Sequence, residues 1–421
     1  MRPDSGHQKE TVVAGSQVVP QPQTDIATIL FGAFDRHNFG DLLFPHVVAA
    51  MLDDRKPVFA GLVDADLRRF GGHAIRAIGP LAAACGERRV NLIHVGGEIL
   101  TCGAWHAAVM LLPLRDAHVV VARLDPRPEE ALEWAQRRLG TRALAPYCVP
   151  QNLFPAARLI YNAVGGTGFR ECDEALRTEV LANLRAADVV GVRDRETLAQ
   201  LGAAGITARL VPDPAVMVAA LFGERIARHA RVGEIAQIRA AFPQGYLAVQ
   251  FSADFGADAT LDAIAAGLER SARSSGHGVV LFRAGAAPWH DDTACYARLA
   301  ARLPATPLRI VESLDIWDIC ALIAASRGYC GSSLHGRIVA MAFALPRVNL
   351  LHPSAGERPG KQAAFAATWE PPEVRATVAL EDLADGIGDA LNAEPQQLRQ
   401  IARELVERYR KEFDATRQRL E

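Results

Sequence analysis

Short apolar runs alternate with amphipathic stretches along most of the chain. Runs at 26–34 (IATILFGAF), 90–97 (VNLIHVGG), 117–124 (AHVVVARL), 158–166, 188–194 and 208–213 read as strands. Most are apolar at nearly every position, the mark of strands covered on both faces, as in a parallel sheet. Helix-like segments lie between them, for example 41–54 and 129–140. Strands alternating with helices predict an α/β fold. The stretch 223–244 is more charged and reads as a helical link. Alternation then resumes, with strands expected at 246–252, 277–285, 308–313, 328–333 and 347–352. Helices are expected at 258–273, 290–303, 315–325 and 336–345. The pattern divides the chain into two α/β lobes, 26–222 and 246–394, joined by 223–245. Leu398, Ile401, Leu405, Tyr409 and Phe413 then recur at steps of three or four, one face of an amphipathic helix assigned to 395–421.

Composition narrows the function classes. The 421 residues are half apolar and 22% charged, with a formal net charge of −2, so a large core is expected and a nucleic-acid partner is not. Seven cysteines, an odd number with no C-x-x-C pair, fit reduced thiols in a cytoplasm better than disulfides or a zinc site. Residues 1–25 lack a sustained apolar stretch and are expected to form a mobile polar leader. No apolar run approaches the ~18 residues a membrane span needs. A soluble cytoplasmic protein is expected, with at most peripheral contact with a membrane.

Several strand ends carry chemistry-bearing residues. After the first strand come Asp35, His37, Asn38, Gly40 and Asp41, where a helix start offers free N–H groups and Asp41 acts either as cap or as a functional acid. The 90–97 strand ends in Gly96 and Gly97, and the 158–166 strand in Gly165 and Gly166; each pair is a turn or part of a shared cleft. Neither a G-x-G-x-x-G nor a G-x-x-x-x-G-K-[ST] pattern is present, which disfavours dinucleotide and P-loop sites. Arg193 stands at a strand end, placed to grip a phosphate or carboxylate or to pair with Asp194 or Glu196. Asp213, in Pro-Asp-Pro, reads as a helix cap, and His290, Asp291 and Asp292 read as helix-start capping rather than a metal site. In CGSSLHGR (330–337), Ser333, His335 and Arg337 crowd a strand-to-helix turn, with no G-x-S-x-G around the serine. Arg358 and Lys361 follow the next strand and are placed to reach the same cleft.

The ordered set N-F-G-D (38–41), V-G-G (95–97), G-V-R-D-R-E (191–196), P-D-P (212–214), S-S-L-H-G (332–336) and L-P-R-V (345–348) resembles the polysaccharide pyruvyl transferase family. The resemblance implies two Rossmann-like lobes facing across a cleft, as in GT-B glycosyltransferases, with a C-terminal helix and the site between the lobes. It implies phosphoenolpyruvate as donor, a glycan or lipid-linked sugar diol as acceptor, and a cyclic pyruvate ketal plus phosphate as products. On that basis His335 is expected as the acid or phosphate-side donor and Asp41 as the base, with Asp35 in reserve. Arg193, Arg337 and Lys361 are expected on the donor's anionic ends, and Asn38, Gly40, Gly96, Gly97 and Ser333 around the substrates. No metal or organic cofactor is expected. The rival readings are a nucleotide-sugar glycosyltransferase of the same form and a non-catalytic glycan- or anion-binding protein.

Overall fold

The computed structural model describes residues 26–52, 56–354 and 360–420. The expected leader at 1–25, the end of the expected 41–54 helix and Arg358 lie outside the described residues.

The first lobe is built on an eight-stranded sheet. Its strands are β1 (Ala27–Phe31), β2 (Val58–Gly61), β3 (Ala65–Asp66), β4 (Ala74–Ala77), β5 (Val90–His94), β6 (Ala157–Val164), β7 (Val189–Val192) and β8 (Arg209–Leu210). They lie in the order β3-β4-β2-β1-β5-β6-β7-β8, parallel except where β3 meets β4. The second sheet has six parallel strands: β9 (Tyr246–Gln250), β10 (Gly278–Leu281), β11 (Leu308–Ile310), β12 (Gly328–Gly331), β13 (Arg347–Leu350) and β14 (Thr377–Val378). Their order is β11-β10-β9-β12-β13-β14. The central strands β5, β9, β10, β12 and β13 are buried at every position, which is why they read as mainly apolar runs. The architecture is the expected GT-B-like pair of α/β lobes.

The run 117–124 is not a strand. It lies in the helix Leu114–Leu124. Its buried positions, Ala117 and Leu124, are seven apart, two helical turns, while Val119 is 69% exposed. Three consecutive valines carry β-propensity, but no sheet position is there to reward it. Of the expected strand at 208–213, only Arg209–Leu210 pairs. Strands β2, β3, β4 and β14 were not anticipated; at two to four residues they are too short to display a period. The link region holds two helices, Val218–His229 and Gly233–Ala241.

The two sheets aim their carboxyl ends at each other, the ligand-binding edge of open α/β sheets. The seam between them is closed by backbone. Asn38 and Gly285 form an antiparallel bridge, Phe39 N donates to Ala284 O (2.8 Å), and Ala286 N donates to His37 O (3.2 Å). His37 adds its ring: Nε2 donates to Leu314 O (2.9 Å) while Nδ1 accepts from Ala286 N (3.1 Å). Those partners select the Nε2–H tautomer. The helix Phe39–Met51 therefore belongs to the first lobe by chain and to both by contact. Its apolar face joins a core that also holds Trp317, Leu334 and Ile338 from the second lobe.

The helix Pro395–Arg417 runs back to the first lobe. All five residues of its expected face are buried. Tyr409 Oη accepts from Asn162 Nδ2 (3.0 Å), and Arg209 donates to Thr416 Oγ1 (2.9 Å). No helix among the described residues is long and apolar enough to cross a membrane.

One expected ligand-binding residue turns out to belong to the core. Arg337 is fully buried, and its Nε donates to Glu370 (2.6 Å), which also takes two bonds from Arg347 (2.6 and 3.0 Å). Arg337 further binds Ala376 O (3.0 Å), so its fork is spent inside the second lobe. Burial opposes ionisation of Glu370, but the two guanidiniums outweigh it and hold the carboxyl below its usual range. Glu370→Gln would leave the Arg337 and Arg347 guanidiniums without their shared counter-charge. The loss of stability should be about 3–5 kcal/mol, read as a lower denaturation midpoint at unchanged slope. A midpoint within experimental error of the parent would show that the pair contributes nothing net.

Candidate active site

Asp213 is the point where the two lobes' chemistry meets. It caps the turn Pro214–Met217 by accepting from Ala215 N (2.9 Å), as the sequence implied. Its other oxygen has a second use. Asp213 Oδ2 accepts from Arg193 Nη1 (3.1 Å) and lies 3.7 Å from His335 Nε2. Arg193 comes from the end of β7 and His335 from the first turn of the helix Leu334–Ala342. A single buried carboxylate thus holds the guanidinium of one lobe beside the imidazole of the other. At 3.7 Å the imidazole contact is an ion-pair distance rather than a hydrogen bond. His335 Nε2 is buried and makes no hydrogen bond, which leaves it unspent. Burial opposes the charge on Asp213, but His335 and Arg193 outweigh it and keep the carboxyl below its ordinary value.

Glycines make this closeness possible. A Cβ on Gly40 would sit 1.9 Å from His335 Nδ1, so no other residue lets the 39–51 helix abut the imidazole. A Cβ on Gly165 would lie 2.5 Å from Glu98 and 2.8 Å from Arg193, which hydrogen-bond each other in that space. Phe44 closes on the imidazole edge-on, ring centroids 5.1 Å apart.

A cavity of about 1010 Å³ opens beside this pair. From the first lobe it is lined by Arg36, Asn38, Asp41, Glu98 and Arg193, and from the second by Ser333, His335 and Lys361. Asn38 caps the 39–51 helix through Gly40 N (3.1 Å), and its amide meets His290 Nε2 (3.2 Å) across the seam. Asp41 lies 3.7 Å from Arg36. Ser333 caps the 334–342 helix through Gly336 N (3.2 Å). Lys361 opens the helix Lys361–Trp369 and is exposed. That helix is fixed to the first lobe where Trp369 Nε1 donates to Arg193 O (2.6 Å). Two helix N-termini, at Leu334 and Lys361, therefore face the cavity, an arrangement suited to anions.

Four other expected residues stand outside the cavity wall, and one of them, Gly40, packs on His335 without lining the cavity. Gly96 and Gly97 are turn-formers with φ of +132° and +93°, and Gly97 O accepts from Gly165 N (2.8 Å) behind Glu98. They shape the wall from behind and do not line it. Asp35 is spent on Tyr147 Oη (2.7 Å) and Leu62 N (2.6 Å), and its buried carboxyl is raised by desolvation. It is a structural acid, not a reserve base.

A sequence model of polysaccharide pyruvyl transferases matches residues 38–352. The chain belongs to the polysaccharide pyruvyl transferase family. Among solved structures it is similar to UDP-GlcNAc 2-epimerase from Neisseria meningitidis bound to UDP-GlcNAc, at 11% identity and a TM-score of 0.52, covering 93% of this chain and 98% of that one. It is also similar to UDP-GlcNAc 2-epimerase from Methanocaldococcus jannaschii, at 10% identity and a TM-score of 0.50, covering 90% and 99%. These likenesses show the fold alone. No curated protein matches the chain by sequence.

Residues of the motifs at 38–41, 191–196 and 332–336 line the cavity, but sequence reasoning missed several of their partners. The cap reading of Asp213 does not reveal its bond to Arg193, and Glu98 carries no signal beside its glycines. Arg36 also lines the cavity, bonded to Tyr147 Oη (3.0 Å) and Ala33 O (3.1 Å). Cys102 lines it too, but burial pushes its thiol up to about 11, so it is no thiolate at neutral pH. Asp292 is the expected cap, accepting from Ala294 N (2.8 Å), whereas Asp291 turns inward to the cavity. Asp291 accepts from Gln250 Nε2 (2.7 Å) and Ala284 N (2.5 Å). The signal for Asp291 was its place one residue before a capping Asp, at the mouth of a parallel sheet.

Desolvation raises the Asp291 carboxyl from 3.8 to about 7. The native state therefore keeps a proton that the unfolded chain releases above pH 3.8. The stability this contributes is full below that value and is lost as the pH rises through about 7. Asp291→Asn removes the titration. The Tm of the variant relative to the parent should move upward between pH 5 and pH 8; a constant offset would mean the carboxyl is ionised throughout.

Proposed function

We propose that this family member transfers the enolpyruvyl group of phosphoenolpyruvate to a sugar diol, forming a cyclic pyruvate ketal and releasing phosphate. The observation that carries the reading is the unspent His335 Nε2, held next to Arg193 on Asp213, at the floor of an interlobe cavity.

The chemistry asks for a proton delivered to the methylene carbon, a base for the attacking hydroxyl and cations for the two anionic ends of the donor. His335 is the proton donor, and Asp213 holds it in place. Lys361 and the N-terminal N–H groups of the 334–342 helix take the phosphate and carboxylate. Arg193 has five N–H donors, with Asp213 and Glu98 occupying two. The remainder serve the ligand. Asp41, at the helix mouth, accepts the proton of the first sugar hydroxyl as its oxygen bonds to the donor's central carbon. The second hydroxyl closes the ketal as the bond from that carbon to the phosphate oxygen breaks, and its proton leaves with the phosphate. The acceptor is a glycan or lipid-linked sugar, and the reaction runs in the cytoplasm.

Phosphate release from phosphoenolpyruvate across a sugar panel, with the ketal verified by mass, tests the reading. Release of nucleoside diphosphate from sugar nucleotides, with phosphoenolpyruvate left intact, would replace it with glycosyl transfer. His335→Ala should lower kcat by about 100-fold or more in a folded variant, the usual scale of acid–base losses. Lys361→Ala should raise the KM for phosphoenolpyruvate several-fold while kcat changes little. A His335→Ala enzyme with parental kcat would remove His335 from the chemistry.

A further inference from the structure

The cavity is far larger than a three-carbon donor requires; about 1010 Å³ lies at the top of the range for sites holding drug-sized ligands. Away from the charged floor, its wall includes Trp289 and Met110. Trp289 is 41% exposed, one of few large apolar side chains left open among the described residues. It sits on the loop between β10 and the helix Thr293–Ala301 with φ of +63°. A bulky residue in that region is strained and persists only where its neighbours over-determine it. They do so here. Ala286 N and Ala287 N bind His37 O before it, and Ala253 N binds His290 O (2.9 Å) after it. The indole is braced from the opposite lobe by a tilted contact with His106 (5.4 Å) and an edge contact with Trp105 (6.4 Å), and Trp105 leans on Trp134 (5.6 Å).

Backbone strain at an open tryptophan, supported by aromatic rings from the other lobe, has no use in the core, because the indole is not buried there. It does fix the angle of a flat apolar surface along the cavity wall. We infer that Trp289 is the stacking platform of the acceptor subsite and receives the C–H face of a pyranose ring. A pyranose has one apolar face and a rim of hydroxyls. Stacking the face on Trp289 leaves the rim toward the polar residues of the cavity, where the diol must meet the donor. The inference rests on the two-substrate reading of the cavity, and its test does not depend on turnover.

The test is direct binding of methyl glucopyranoside, galactopyranoside and mannopyranoside to the full chain, followed by tryptophan fluorescence and by calorimetry. Trp289→Asn removes the ring yet tolerates the left-handed backbone, and Trp289→Phe keeps a stacking face; unchanged Tm values verify both folds. At least one pyranoside should bind the parent. Affinity should fall about tenfold or more in Trp289→Asn and stay within about threefold in Trp289→Phe, as a stacking contact requires. Phosphoenolpyruvate affinity should be the same in all three proteins. The inference is overturned if no pyranoside binds, if Trp289→Asn binds as the parent does, or if uridine diphosphate alone displaces the fluorescence signal. Pyranoside binding at Trp289 without phosphate release would instead defeat the pyruvyl transfer reading and leave the platform standing. Phosphate release with an unaffected Trp289→Asn would do the reverse.

Discussion

A carboxylate as deeply buried as Asp213 is costly unless its partners are fixed around it. Arg193, His335 and the N–H of Ala215 are those partners, and they come from three separate parts of the chain. The requirement therefore runs in both directions. Arg193 is buried as well, and without Asp213 and Glu98 its charge would be unsupported. The 39–51 helix can approach the His335 imidazole only because Gly40 lacks a side chain. The placement of these side chains and the stability of the seam are consequently the same constraint at this point. The residues that make the lobes cohere are those that make the site.

Much of the fold was legible because both sheets are parallel and covered on two faces. Burial at every position of β5, β9, β10, β12 and β13 turns into short, mainly apolar runs. Legibility failed where burial and propensity separate. Val119 to Val121 have strand-like side chains on a helix that covers the lobe's outside, and β2, β3, β4 and β14 are too short to carry a period. The C-terminal helix was readable from its five apolar positions, but its return to the first lobe depends on Asn162 and Arg209, which carry no sequence signal for that contact.

Site legibility was divided along another line. Strand-end residues with titratable groups were easy to single out, and Asp41, Arg193, His335 and Lys361 do line one cavity. Whether a given charge is spent on structure depends on partners remote in sequence. Arg337 and Arg193 look alike locally, each near the end of a buried strand. Glu370 and Ala376 O take up Arg337 inside the second lobe, whereas Arg193 is met by acids at the cavity edge. Asp213 shows the converse: a capping role was correctly read, and a carboxylate's second oxygen was left out of account.

The seam also limits how ligands enter. The lobes are joined beside the site by the Asn38–Gly285 bridge, the bonds from His37 to the 284–287 segment and the contact from Trp369 to Arg193 O. Prising the seam apart would break these bonds in the dry interior and separate His335 from Asp213. Each buried polar group left unpaired costs about 1–3 kcal/mol, so an opening of that kind is expensive many times over. Lys361 and Trp289 line the same cavity and are exposed, so reaching them requires no such rupture. Under the proposed reaction, entry past these two residues would leave Arg193 and His335 in register as a ligand arrives. Rigid placement of the charged groups before binding is what makes their field effective against a charge that develops only during the reaction.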